Sequence, residues 1–354
     1  MSQPTDSKRP AIDSTRADAA ATWQMLLGIA QAARLMPERR AAAPGSVEFS
    51  LIAGFLGAGK TTLVNHLLGG AHGRRLAVIV NDFGAINIDT SLISRRDRDT
   101  ISLTNGCACC SMARGLTETL LTLTEQAEPP EAIILEASGI AEPQPILHVA
   151  LTNPALALNG VVTLVDTETA LEHASDPNFG AIVTRQVSGA DLVVLNKSDL
   201  ATPAMSDDVQ AWARRIAPNA AIVRSTEANV ATEVVLGYQA SHAMPAQDGR
   251  DVSGGTSKPF RSWSFAFDEA LSAERVRKLS ETLPHGILRA KGTLYLADAS
   301  EHRHVYQLVG RRWRLSRDII WGEARPRSEI VFIAADSLIE EAQIRRCLDE
   351  CVVT

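Results

Sequence analysis

From residue 47 onward the chain carries a series of nearly continuous apolar runs: VEFSLIAG, LAVIVND, EAIILEASG, GVVTLVD and DLVVLNKSD. Each is rich in Val, Ile and Leu and lacks the in-out alternation of a strand with one wet face. Such runs belong to strands buried on both faces of a parallel sheet. Helical spacing separates several of them, over Thr61–Leu68, Met112–Gln126 and Val209–Ile216. Strands alternating with helices predict an α/β domain, a doubly wound and mostly parallel sheet, over residues 47–236. A Gly/Ser/Pro/Asp-rich stretch at 237–258 then reads as a linker. Beyond it FRSWSFAFD alternates like a half-buried strand, and SAERVRKLSETL reads as a helix with Ser272 as its N-cap. GTLYLAD, HVYQLVG and IVFIAA are further strands and Leu338–Cys351 a last helix, so residues 259–354 are expected to form a smaller α+β domain. Residues 1–46 read as an extension: a polar segment, then an amphipathic helix around residues 15–36 on the spacing of Trp23, Leu26, Leu27 and Ala30.

Composition narrows the classes open to such a chain. With 354 residues, 45% of them hydrophobic and 21% charged, two or three globular domains are expected. A net charge of -6 leaves no electrostatic footprint for nucleic acid. No run approaches the roughly 20 apolar residues of a membrane span. Asp6, Asp13 and Asp18 before the first apolar run argue against a secretory leader. Of five cysteines, three crowd into Cys107–Cys110. That is not a disulfide framework, and a reducing, cytoplasmic location is expected, where such clusters bind metal or do redox chemistry.

The first apolar run leads into GFLGAGKTT, which fits G-x-x-x-x-G-K-[ST] with Gly54, Gly59, Lys60 and Thr61 at the fixed places. A strand before it and a helix after it supply the context of a phosphate-binding loop. Glycines, including Gly57, let backbone N–H groups from residues such as Ala58 and Thr62 turn inward around phosphates. The helix N-terminus adds a favourable dipole. Lys60 would reach the β- and γ-phosphates, and Thr61 would offer its hydroxyl to magnesium. Near the end of the α/β region, Asn196-Lys197-Ser198-Asp199 closes an apolar run. Ligands bind outside the C-terminal ends of such strands. A carboxylate there, Asp199, accepts from the ring N–H and exocyclic amine of guanine, a donor pair adenine lacks, so GTP is the expected nucleotide. Lys197 would lay its stem along the base.

Two acidic segments fall where a γ-phosphate and its metal would sit: NDFGAINID, with Asp82 and Asp89, and EASGIAEP, with Glu136, Gly139 and Glu142. Carboxylates at these strand ends hold magnesium or orient water, making Asp82 and Glu136 the catalytic candidates. Gly139 can offer its N–H to the γ-phosphate, and Glu142 can cap a helix. Between the two segments lies LTNGCACCSMARG. Cys109 and Cys110 are adjacent, a poor geometry for a disulfide. With Cys107 they make three soft ligands suited to zinc, copper(I) or another thiophilic ion, one short of a closed structural zinc site. A redox-sensing cluster is the alternative. Cys347 and Cys351, four apart in the last helix, read as a metal pair or as packing. His302 and His304, alternating in a strand, read as a solvated face.

In combination these segments resemble the CobW-type GTPases, relatives of the UreG and HypB metallochaperones, over roughly residues 47–350. The resemblance rests on GFLGAGKTTL, NDFGAINID, NGCACC, EASGIAEP, NKSD and RAKGTLYLAD. It implies slow hydrolysis of GTP with magnesium, coupled to binding and delivery of zinc, or in some members cobalt or iron, with Cys107, Cys109 and Cys110 as ligands. The partners implied are a metal-dependent client protein and, in a homodimer, a second copy of the chain; neither nucleic acid nor a membrane is expected. Two rival readings stay open: a dedicated activator inserting cobalt or iron into one enzyme, and a metal- or redox-sensing regulator. The chain departs from the family at NDFGAINID, where Asp82 has the shorter arm, Ala85 drops a carboxylate and Asn87 replaces a glycine. Its linker carries His242 alone in place of a histidine-rich tract.

Overall fold

The computed structural model describes residues 46–70, 74–81, 100–103, 109–237, 251–252, 260–284, 286–335 and 339–353. The helix expected around residues 15–36, together with Asp82, Ala85, Asn87, Asp89, Cys107 and His242, lies outside the described residues. The first sheet holds seven strands: β1 (Val47–Gly54), β2 (Leu76–Asn81), β3 (Thr100–Leu103), β4 (Ala132–Glu136), β5 (Leu156–Asp166), β6 (Leu192–Asn196) and β7 (Ala221–Arg224). Their order is β3-β2-β4-β1-β5-β6-β7, and every pairing is parallel.

Continuous hydrophobicity in these strands has a direct physical cause, because successive residues feed cores on opposite faces. Ile52, Ile134, Val162 and Val194 pack with α1 (Lys60–Gly70) and α7 (Thr232–Leu236). Their immediate neighbours Leu51, Ile133, Leu135 and Val161 pack with α2 (Cys109–Thr124) and α3 (Pro143–Thr152). Val193 and Leu195 pack with α5 (Gly180–Ser188) and α6 (Pro203–Ile216). Each such side chain contributes about 1.5–3 kcal/mol by leaving water. The expected doubly wound sheet is therefore present. Strands β3 and β7 and helices α3, α4 (Ala170–Ser175), α5 and α7 go unread in the sequence. The two strands have only four residues each, too few to establish a period.

A second sheet is antiparallel, in the order β12-β11-β10-β13-β9-β8. Its strands are β8 (Asp251–Val252), β9 (Phe260–Phe267), β10 (Ile287–Tyr295), β11 (His302–Val309), β12 (Arg312–Ile320) and β13 (Ser328–Ala334). Helices α8 (Ala273–Thr282) and α9 (Glu341–Asp349) bury Val276, Leu279, Ile344 and Leu348 in its core. Ser272 caps α8 as expected, its Oγ accepting from the Arg275 N–H. Strand β8 falls inside the stretch read as linker. β12 was missed because RWRLSRDII is too highly charged to look like a strand.

Two readings need correction. His304 is buried, not solvated: alternation along β11 puts it on the face of Tyr306 and Leu308, which is the core face of the second sheet, with its Nδ1 3.2 Å from the His302 carbonyl. Cys351 lies past the end of α9. Its thiol donates to the Cys347 carbonyl at 3.3 Å, and burial pushes it up to about 11. Burial also raises the Cys347 thiol. Both are protonated packing groups, not thiolates waiting for metal.

The sheets share a core. Phe260, Leu288 and Ile333 of the second sheet join the α1–α7 face of the first. Around that seam the polar groups interlock. Arg289, buried in β10, donates to Asn159 Oδ1 at 2.8 Å and to the Val235 carbonyl at 2.6 Å. Asn159 in turn donates to Ser50 Oγ at 2.8 Å. Lys291 pairs with Glu48, and Arg312 with Asp191. Glu48, Ser50, Asn159 and Asp191 all lie at or near the N-terminal ends of their strands. The opposite ends remain for ligand.

Candidate nucleotide and metal site

The loop between β1 and α1 turns tightly enough to bring its own lysine back over it. Lys60 is buried at the start of α1 and donates to the Phe55 carbonyl at 3.1 Å. Gly54 ends β1, Gly57 is at the exposed bend, and Ala58 is buried behind it. At Gly59 φ is +100°, and a Cβ would stand 2.4 Å from Asn196 Nδ2, so only glycine fits. Thr61 and Thr62 follow in the first turn of α1, with Thr62 exposed.

Thr61 Oγ1 donates to Glu136 Oε1 at 2.8 Å. Glu136 is buried at the last position of β4, 75 residues away in sequence. A carboxylate so placed retains its charge only with partners around it. Hydroxyl and carboxylate oxygens in contact make a hard, oxygen-only donor set, which fits magnesium. Beyond β4, Gly139 is buried in a turn closed by the Ala141 N–H on the Ser138 carbonyl at 3.0 Å. Glu142 precedes α3 but makes no side-chain cap; it pairs with Arg185 at 2.8 Å.

Asn196 ties three segments together. Its Nδ2 donates to the Ala58 carbonyl at 2.9 Å, and its Oδ1 accepts from Ala228 N–H at 2.6 Å and Ser225 Oγ at 3.1 Å. Lys197 sits in the left-handed region, with φ of +57°, and its amino group reaches Asp166 Oδ2 at 2.6 Å. Asp199 is exposed at the mouth. Ser225–Ala228 went unread in the sequence. Glu227 and Ala228 both take positive φ there, at 51° and 54°, and neither residue type announces it. Asp166 and the ring pairs Phe55–His173 and Phe55–Phe179, with centroids 4.8 and 5.8 Å apart, likewise carry no motif.

Cys109 and Cys110 open α2. The strand before them, β3, ends at Leu103, which is paired with Asn81 of β2; the preceding β2 residue, Val80, is paired with Glu136. The expected glutamate, lysine, threonine and asparagine thus converge at one edge of the sheet. Asp82 and Cys107 lie outside the described residues. Among the described residues no group of three or more His, Cys, Asp or Glu is poised for a metal, and no helix is long and apolar enough to cross a membrane.

The family model described as "CobW/HypB/UreG, nucleotide-binding domain" matches residues 48–224, and "Cobalamin synthesis protein cobW C-terminal domain" matches residues 260–352. The zinc chaperone YjiA of Escherichia coli is 30% identical over 323 residues, covering 84% of this chain and 96% of that protein. This chain belongs to the CobW/HypB/UreG family. It is a GTPase of that family. The zinc chaperone CobW of a Sinorhizobium species is 28% identical over 358 residues, 87% of this chain and 98% of its own length. The zinc-regulated GTPase metalloprotein activator 1 of Dictyostelium discoideum is 28% identical over 313 residues, 74% of this chain and 65% of its own length. In this CobW-family chain the two matched regions correspond to the two sheets.

Proposed function

We propose that the chain is a cytoplasmic metallochaperone that binds zinc on Cys107, Cys109 and Cys110 and passes it to a metal-dependent client under control of its GTP cycle. The observation that carries this reading is the register at the strand ends. The cysteine segment leaves β3 two strands from Glu136, about 10 Å at ordinary strand spacing, and enters α2 through Cys109 and Cys110. A change of the strand-end loops with nucleotide is thereby delivered to the thiolates.

In this reading Lys60 and the N–H groups of Gly57–Thr62 hold the phosphates, and Thr61 and Glu136 would hold magnesium, which would supply positive charge against the charge that develops on the phosphates. Asn196 locks the phosphate loop to the 225–228 loop, Asp199 accepts from guanine, and Lys197, steadied by Asp166, lies along the base. Gly139 offers its N–H to the γ-phosphate, and Asp82 or Glu136 orients the attacking water. Loss of the γ-phosphate releases the segments after β2 and β4, and the cysteine segment between them changes its hold on zinc. The names of the relatives, two zinc chaperones and a metalloprotein activator, support zinc as cargo and an enzyme as client.

The test is zinc affinity of the nucleotide-free, GDP and GTP-analogue forms of the full chain, with metal stoichiometry by elemental analysis. Affinity is expected to differ between nucleotide states by at least about tenfold, and Cys109→Ser to lower stoichiometry. Equal affinities would refute nucleotide-controlled delivery, since a ligand blind to the two states shifts nothing.

A further inference from the structure

We infer that Gln186 is a positioning residue for GTP, holding the turn after β4 in the conformation that reads the γ-phosphate. The inference rests on the reading above that this turn faces that phosphate. Gln186 is 1% exposed in the last turn of α5. A carboxamide cut off from water must have its donors met. Here Nε2 donates to two carbonyls of the same short turn, Gly139 O at 3.0 Å and Ala141 O at 2.9 Å. A helix holds the first and last of three consecutive residues of a loop through a single nitrogen.

The geometry makes those two bonds a clamp on peptide orientation. In a planar trans peptide the N–H points opposite the C=O. Fixing the Gly139 carbonyl toward α5 therefore turns the Ile140 N–H away from it, and fixing the Ala141 carbonyl does the same for Glu142. The Gly139 N–H belongs to the preceding peptide, whose Ser138 carbonyl accepts from the N–H of Ala141, so that peptide is held through the same clamped turn. The turn has little other freedom. A Cβ on Gly139 would lie 2.9 Å from the Leu56 backbone N and 2.5 Å from Leu56 Cδ2, so the turn is seated directly on the phosphate loop. Ile140 at its tip is exposed. The clamp itself is anchored, because the Thr163 hydroxyl donates to the Gln186 carbonyl at 3.0 Å and fixes α5 to β5. Arg185, the neighbour of Gln186, adds the exposed pair to Glu142. Gln186 thus joins the strand beside the phosphate loop to the turn that senses what the loop holds.

The experiment measures GTP-analogue and GDP affinity and single-turnover hydrolysis in the full chain for Gln186→Leu, Gln186→Glu and Gly139→Ala. Gln186→Leu keeps the volume and removes both donors. It is expected to lower the preference for the GTP analogue over GDP, and the hydrolysis rate, by about tenfold, with GDP affinity within about twofold of the parent. Gln186→Glu presents a carboxylate to two carbonyls at neutral pH and is expected to share that defect. As pH falls its buried carboxyl takes up a proton and can donate again. Its preference for the GTP analogue should therefore recover severalfold between about pH 8 and pH 6, against the parent's profile. If affinity for both nucleotides falls together, or neither moves, or the glutamate variant shows no recovery, the positioning role is wrong. Should the leucine variant fail to fold, the glutamate profile decides. Gly139→Ala separates the two levels: if it leaves GTP/GDP preference intact, the turn does not read the γ-phosphate and both readings fall. If it alters preference while the Gln186 variants do not, only the role of Gln186 falls.

Discussion

Asn196 carries more of the site than its motif suggests. Two of the three hydrogen bonds of its side chain end on backbone groups, the Ala58 carbonyl and the Ala228 N–H. Removing it leaves both without that partner, at about 1–3 kcal/mol each. Asn196→Ala is expected to lower unfolding stability by about 3 kcal/mol in a denaturant titration and to weaken GTP and GDP alike. Asp199, exposed and bonded to neither loop, should behave differently. Asp199→Asn is expected to cost GTP roughly a hundredfold in affinity with stability unchanged. Xanthosine triphosphate should recover much of that loss, since its C2 oxygen accepts where guanine donates. At this scale the sequence was informative wherever chemistry dictates residue type: Lys60, Thr61, Glu136 and Asn196 are all where their motifs put them. Ser225–Ala228 was invisible because its place comes from backbone conformation, which many residue types can adopt. Gln186 was invisible because its amide meets a turn more than forty residues away in sequence, and no local pattern marks such a contact.

Among the elements, burial on both faces made β1, β2, β4, β5 and β6 readable, because a strand between two helix layers has no polar position to spare. Short edge strands and the five-residue α7 carry too few positions for a period, and β12 gains its place by pairing rather than by apolarity. His304 is a further case, since alternation groups it with His302 and equally with the buried Tyr306 and Leu308, and a histidine does not announce which face is the core. Its burial has a measurable consequence. Burial holds the His304 ring below its ordinary value of 6.5. The fold therefore favours the neutral ring, and the stability it gains is complete above about 6.5 and declines as pH falls below it. Between about pH 7.5 and pH 5.5 the melting temperature is expected to drop, and His304→Gln should shrink that drop. An unchanged difference in the variant would mean other groups are responsible.

Across the whole molecule, the two sheets meet at the end of the first that is remote from the Gly54–Thr61 loop. Eight residues of β1 separate the ends by about 26 Å. Arg289 is the centre of that junction, fully enclosed and with its Nε unpartnered, and burial brings its guanidinium down to about 10. Arg289→Met leaves Asn159 Oδ1 and the Val235 carbonyl short of a donor. It is expected to destabilise the chain by about 3 kcal/mol. Neither the sheet-to-sheet seam nor its arginine was legible beforehand, because RAKGTLYLAD reads as a strand whichever surface it covers.

With that seam, the two sheets are expected to melt as one cooperative unit instead of two beads. Phe260, Leu288 and Ile333 leave water only when both sheets are folded, and Glu48 and Asp191 keep Lys291 and Arg312 as partners only then. Mass action at the nucleotide end should therefore protect residues it never touches. GTP analogue at a hundred times its dissociation constant stabilises the folded chain by about 2.7 kcal/mol. Hydrogen exchange in β10 and β13 is expected to slow by the corresponding factor, of order a hundred. In Arg289→Met the protection should stop at β7, leaving the second sheet to open on its own schedule.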